Sequence, residues 1–87
     1  MKSFPLTVSS PAGDLFKGEA VKITLRGVMG DLAVMAGHIP FVTALAEGEC
    51  RIYLESGEMR RARVAGGLLS VSREETALLS SSFTFLS

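Results

Sequence analysis

Apolar residues recur at every second position in short segments along most of the chain. Such alternation has the two-residue period of a β-strand that buries one face. The apolar positions of these segments are Phe4, Leu6 and Val8; Val21, Ile23 and Leu25; Cys50, Ile52 and Leu54; Ala62 and Val64; Leu69 and Val71; Ala77 and Leu79; and Phe83 and Phe85. Turn-forming stretches separate the segments, and none has a convincing helical stripe. The pattern predicts an all-β sandwich or barrel.

The clearest local pairing lies in "CRIYLESGEMRRARV", where two alternating segments flank Ser56 and Gly57. This arrangement predicts a β-hairpin with a loop of two or three residues. The inner positions would be Ile52, Leu54, Ala62 and Val64. The opposite face would carry Arg51, Tyr53, Glu55, Arg61 and Arg63. Our interpretation of the Arg60, Arg61 and Arg63 cluster is a solvated sheet face in preference to an anion site.

Length and composition indicate one folded domain over residues 1–87. Apolar residues make up 47% of the chain, unlike the composition of disordered sequences. Nine basic and nine acidic side chains cancel, so no strong field attracts nucleic acid or anionic lipid. The chain has neither a signal-peptide pattern nor a long apolar run, which favours a soluble, intracellular protein.

Residues that commonly carry catalysis or bind metals are few. A single cysteine, Cys50, excludes an intramolecular disulfide, and its place in an alternating segment predicts a small core residue. One histidine and one cysteine give no zinc-ligand set. Gly66 and Gly67 lack the lysine of a phosphate loop, and no serine resembles a nucleophile elbow. We therefore expect a non-catalytic protein that needs no metal or cofactor.

The order and spacing of several motifs resemble a known family. The chain contains "FKGEAVKITLRGVMGDLAVMAGHIPFVTAL", then "GECRIYLESGE" and "VAGGLLSVSREETALLS". Together they resemble the N-terminal β-sandwich of the epsilon subunit of bacterial rotary ATP synthase, which is equivalent to delta in mitochondria. The motif positions are Phe4, Leu6 and Val8; Gly27, Gly30, Gly37, His38 and Pro40; and Gly66 and Gly67. Ala33 and Ala36 stand where the family commonly has Gly and Pro.

The resemblance implies a fold and a function. The fold would be a small β-sandwich of two packed, mainly antiparallel sheets with roughly ten short strands. The function would be that of a central-stalk rotor domain, which links the gamma subunit to the c-ring and helps couple ion flow to ATP synthesis. It would lie at the cytoplasmic face of the bacterial inner membrane, without direct lipid insertion. The competing hypothesis is an autonomous β-sandwich that binds a small ligand or peptide.

Family members usually continue into a C-terminal pair of helices, whereas this sequence stops at Ser87. Either the helices were removed at a domain boundary or the natural protein is a short form. Because the helical pair is the part associated with inhibition of ATP hydrolysis, we do not carry that activity over.

The resemblance also implies two interaction sites. His38 and Thr43 would contact the gamma subunit; alternatively, His38 is a loop residue bonded to a nearby carbonyl. The c-ring would contact a loop that consists of Gly27, Val28, Met29, Gly30 and Asp31. In this loop positive φ is available at Gly27 and Gly30, which lets the connection bend tightly, and we expect Asp31 to accept hydrogen bonds from an arginine of the c-ring. Alternatively, Asp31 is a turn residue that bonds its own backbone.

Overall fold

The computed structural model describes residues 2–86 as a single sheet-rich unit. Its seven strands are β1 (Phe4–Ser10), β2 (Gly13–Gly27), β3 (Gly30–Met35), β4 (Phe41–Leu54), β5 (Met59–Val71), β6 (Thr76–Leu79) and β7 (Phe83–Phe85). No helix occurs in this part of the chain, so the all-β prediction is confirmed. Residues 2–86 accordingly contain no helix that is long and apolar enough to span a membrane.

Five of the strands close into a barrel. The hydrogen-bonded order is β1, β6, β5, β4 and β2, and β2 pairs again with β1. Two further strands extend it, β3 beside β2 and β7 beside β5. Only the β1–β6 pairing is parallel among the described strands. The expectation of two separate packed sheets is not confirmed, because hydrogen bonds join all seven strands into one sheet.

The strands are fewer and longer than the roughly ten short ones that we expected. β2, β4 and β5 contain 15, 14 and 13 residues. The first part of β2 pairs with β1 and its second part with β3. Between these parts the pairing with β4 shifts register between Ala20 and Lys22. Such a bulge bends a strand without ending it, so one strand serves two regions of the barrel.

The barrel interior holds most of the apolar positions that alternation predicts. The predicted residues found buried are Phe4, Leu6, Val8, Ile23, Leu25, Cys50, Ile52, Ala62, Val64, Leu69 and Val71. Ala20, Val34, Leu45 and Leu78 complete this core. Burial raises the pKa of the Cys50 thiol to about 12, which agrees with its prediction as a core residue.

The predicted phase of β6 is wrong by one residue. Thr76 and Leu78 are buried, whereas Ala77 is half-buried and Leu79 is exposed. Three consecutive apolar residues make the alternation here ambiguous, and a shift of one residue exchanges the two faces of a strand. Val21 also departs from the prediction, since the bulge turns it partly toward solvent. Leu54, Phe83 and Phe85, which were predicted to be buried, are only half-buried.

The β4–β5 hairpin forms as predicted but with a longer connection. The loop comprises four residues, 55–58, rather than two or three. Leu54 N donates to Glu58 O at 2.9 Å, and Gly57 N donates to Leu54 O at 3.0 Å. Gly57 has a φ of 91°, a conformation that favours glycine.

Candidate interaction surfaces

The β2–β3 hairpin carries the loop that the resemblance assigns to the c-ring. Gly27 pairs with Gly30, so only Val28 and Met29 form the tip. Gly30 has a φ of 124°, but Gly27 does not adopt positive φ. Gly27 has a different requirement, because a Cβ there would lie 2.7 Å from Leu32 Cδ2. The tip is tight because one glycine supplies the turn and the other leaves room for Leu32.

The tip presents two apolar side chains to solvent. Val28 is 60% exposed and Met29 is 93% exposed. Val28 N donates to Ala44 O at 3.1 Å, which ties the tip to β4. In the isolated fold these side chains stay in water and add nothing to stability. Contact with another protein would remove them from water, which is favourable.

Asp31 forms an ion pair within the chain. Its Oδ1 lies 3.2 Å from Nε of Arg26, and both side chains are exposed. The two residues are direct cross-strand partners on β2 and β3. The Arg26 side chain lies across Gly48, where a Cβ would come within 3.0 Å of Arg26 Cβ. An external arginine would therefore have to compete with Arg26 for the Asp31 carboxylate.

His38 lies in the exposed connection between β3 and β4. Its backbone N–H donates to Met35 O at 3.3 Å. Its Nδ1 is 3.3 Å from Ile39 O, in line with the alternative of a carbonyl bond, and this requires the proton on Nδ1. The ring centroid is 5.2 Å from that of Phe41, with a tilt of 54°. The imidazole is thus oriented by local contacts and remains open to a partner.

Thr43 is less available than the sequence suggested. It is half-buried on β4, and its Oγ1 donates to Ala44 O at 3.4 Å. The neighbouring Val42 is 63% exposed and projects from the opposite face of the strand. Val42 was not predicted as a surface residue from the sequence. It lies three positions before the buried Leu45, and residues an odd number of positions apart on a strand lie on opposite faces.

The exposed tip continues into an apolar strip across the barrel. In register, Ala44 of β4 faces Leu68 of β5, and Leu68 faces Leu79 of β6. Leu68 is 41% exposed and Leu79 is 49% exposed. We call Val28, Ala44, Leu68 and Leu79 the outer apolar strip. Strips of this kind are typical of protein contacts, and this one connects the hairpin tip to the outer face of β4.

Charged side chains cover a different part of β4 and β5. Nη2 of Arg61 contacts Glu49 Oε1 at 3.0 Å, and Nη2 of Arg63 contacts Glu47 Oε2 at 3.2 Å. Hydrogen bonds from Arg61 and Arg51 lower the pKa of Glu49 from 4.5 to about 2. Arg61 and Arg63 are paired within the chain, in agreement with a solvated sheet face, whereas the half-buried Arg60 lies with its Cζ 3.9 Å from the Phe85 ring centroid. Within residues 2–86, no three His, Cys, Asp or Glu side chains converge as a metal site would require.

The closed barrel and its outer apolar strip define an all-β domain with a surface suited to protein contact. Residues 3–85 match the family model of the ATP synthase, Delta/Epsilon chain, beta-sandwich domain. The chain belongs to this family.

Two curated relatives are named as epsilon chains of ATP synthase. The chain is 38% identical over 80 residues to the ATP synthase epsilon chain of Caldicellulosiruptor saccharolyticus, an alignment that covers 92% of this chain and 58% of that protein. It is 39% identical over 79 residues to the "ATP synthase epsilon chain, sodium ion specific" of Propionigenium modestum, and this alignment covers 91% of this chain and 57% of that protein. The chain thus spans less than two thirds of the length of these relatives.

Solved structures share the fold. A chain of the Euglena gracilis mitochondrial ATP synthase, solved with OSCP, F1 and c-ring, superposes with a TM-score of 0.90 at 23% identity, covering 97% of this chain and 54% of that one. A chain from the central stalk and c-ring of the Tetrahymena thermophila enzyme gives 0.76 at 13% identity, covering 94% and 66%. Nothing in these comparisons favours the alternative of a binding module unrelated to a synthase.

Proposed function

We propose that this chain is a non-catalytic domain of the central-stalk rotor of an F-type ATP synthase. In this role it links the gamma subunit to the c-ring and helps transmit ion-driven rotation toward ATP synthesis. The observation that carries the proposal is the family match over residues 3–85. The structural neighbours come from assemblies that contain F1, the c-ring and the central stalk, which gives further support.

The β2–β3 hairpin tip is the proposed contact with the c-ring. Met29 is 93% exposed, and full burial of such a side chain contributes about 1.5 to 3 kcal/mol. An exposed ion pair between Asp31 and an arginine of the c-ring would contribute at most about 1 kcal/mol, and Arg26 already occupies the Asp31 carboxylate. Hydrophobic contact from Val28 and Met29 would therefore provide most of the binding free energy with the c-ring. Asp31 would orient the hairpin and add a smaller contribution that weakens as salt increases.

The gamma subunit would contact His38, Thr43 and the neighbouring outer face of β4. Val42 adds apolar area that a contact based on His38 alone would lack, and so do Ala44, Leu68 and Leu79 of the outer apolar strip, whose fourth member, Val28, belongs to the c-ring contact. The same arrangement would hold the chain at the cytoplasmic face of the bacterial inner membrane through its protein partners.

Affinity purification of the tagged chain, expressed in place of the native epsilon subunit, tests the proposed function. Wild-type chain should recover gamma and the c-ring from solubilised membranes. Asp31→Lys places a second cation beside Arg26 and should reduce recovery of the c-ring while leaving gamma unchanged. The loss should be largest at low ionic strength, where charge repulsion is least screened.

The matched control is Asp14→Lys, which makes the same charge change at an exposed position near the start of β2. Recovery of gamma and the c-ring should equal that of the wild type. Recovery of neither subunit by the wild-type chain would refute the proposed function. Normal recovery of the c-ring by Asp31→Lys would refute only the assignment of the hairpin.

A further inference from the structure

A cleft of about 360 Å³ lies on the outer face of the barrel beside the β4–β5 loop. Val21, Met35, Tyr53 and Leu54 contribute mainly apolar surface, while Lys22 and Glu55 contribute charge. None of these residues belongs to the contacts proposed above for gamma or the c-ring. The cleft is therefore a separate feature that those contacts leave unexplained.

The bulge in β2 creates one wall of this cleft. Ala20 is buried and pairs with Leu54, whereas Lys22 pairs with Tyr53, so Val21 has no residue opposite it on β4. Ile23 is buried again, which leaves two consecutive side chains, Val21 and Lys22, outside the core. Regular alternation would place only one residue there. Bulges that redirect side chains in this way are frequent next to functional sites.

The remaining walls combine adaptable apolar groups with a free cation. Met35, Lys22 and Tyr53 are cross-strand neighbours in one row, and Met35 is 52% exposed. Lys22 Nζ lies 5.4 Å from the Tyr53 ring centroid. Lys22 makes no ion pair with any of residues 2–86. Its ammonium is therefore available to an anion, next to a thioether that can adapt to an apolar ligand.

We propose that this cleft binds a small monocarboxylic acid with an aromatic or branched aliphatic body. The carboxylate would accept a charge-assisted hydrogen bond from Lys22, and the body would pack on Val21, Met35 and Leu54. Lys22 is the only cation that lines the cleft and Glu55 also lines it, so a second ligand carboxylate would find no cationic partner there; the proposed class is therefore the monocarboxylates. The volume is within the range of small-molecule sites, about 300 to 1,000 Å³.

An NMR titration of the isotope-labelled chain tests this inference with three matched probes at constant ionic strength. The probes are 3-phenylpropionate, 3-phenylpropanol and 3-phenylpropylamine, which share one body and differ in their polar group. The acid should shift the amide signals of residues 21–22 and 53–55. It should bind about three- to fivefold more tightly than the alcohol, the ratio expected for one solvent-exposed charge pair.

Two variants separate the role of Lys22 from general electrostatics. Lys22→Gln should abolish the preference, so that the acid and the alcohol bind with equal affinity. Lys17→Gln removes an exposed lysine of the same strand outside the cleft and should change neither affinity. The inference is overturned by equal binding of acid and alcohol, by tighter binding of the amine, by shifts located elsewhere, or by a preference that persists in Lys22→Gln. Because the isolated chain is used, these outcomes do not depend on assembly with gamma or the c-ring.

Discussion

Replacing Gly67 with alanine should open the barrel between β5 and β6. Gly67 has a φ of 134°, and a Cβ at this position would lie 2.3 Å from the backbone oxygen of Leu79. The obstacle is backbone, so a side-chain rotation cannot relieve it. β6 would have to move away from β5, and this movement would expose Leu78 and break the hydrogen bond that Ser80 Oγ donates to Gly66 O at 2.7 Å.

Gly66→Ala is the matched control. Gly66 also has a positive φ, 91°, but an added Cβ would meet nothing within 4 Å. Backbone strain should therefore destabilise both variants by about 1 to 3 kcal/mol. Gly67→Ala should lose about a further 2 kcal/mol from exposure of Leu78 and about 1 kcal/mol from the hydrogen bond. A domain of this length has a free energy of unfolding of about 4 to 13 kcal/mol, so Gly67→Ala should be close to unfolding.

Thermal unfolding followed by circular dichroism measures the difference in stability between Gly66→Ala and Gly67→Ala. For domains of this size, 1 kcal/mol corresponds to a change in Tm of about 4 to 8 °C. Gly67→Ala should therefore unfold more than about 10 °C below Gly66→Ala. Equal Tm values for the two variants would refute the argument that Gly67 is required for the close approach of β6.

Three further outcomes are expected. The depressed pKa of Glu49 contributes stability above pH 4.5 that is lost as pH falls toward about 2. Glu49→Gln should therefore make Tm fall less steeply over that pH range. An unchanged slope of Tm against pH would contradict the role of the arginine partners of Glu49. Cys50, with a pKa raised to about 12, should react with a thiol reagent at pH 8 only as fast as the domain unfolds; rapid modification of the folded chain would contradict its burial. His38→Glu should weaken binding to gamma in a pull-down assay and change stability by less than about 0.5 kcal/mol, and undiminished binding would count against that contact.

The sequence predicts the core well where polar and apolar residues alternate strictly. In β1 the alternation at Phe4, Leu6 and Val8 identifies the buried face correctly. In β6 the consecutive apolar residues leave two phases open, and only the pairing with β1 and β5 decides between them. The parallel β1–β6 pairing that closes the barrel joins distant parts of the chain, so local patterns contain no signal for it.

The candidate surfaces show the same division between local and distant information. Two glycines around Val28 and Met29 predict an exposed hairpin tip, and the structure has one. The Arg26–Asp31 pair could have been inferred as well, because a two-residue tip makes them cross-strand partners. By contrast, Leu68 and Leu79 join the outer apolar strip only through the register of three strands. That register depends on the complete barrel.

Site-specific photo-cross-linking in the assembled synthase tests the proposed rotor role most directly. A photoreactive amino acid would replace Met29 at the hairpin tip, His38 in the β3–β4 connection, or Glu58 in the exposed β4–β5 loop as the control. Position 29 should cross-link to the c subunit and position 38 to gamma, while position 58 should give neither product. The absence of a cross-link from position 29 to the c subunit, or equal products from positions 29 and 58, would contradict the proposal that this hairpin contacts the c-ring.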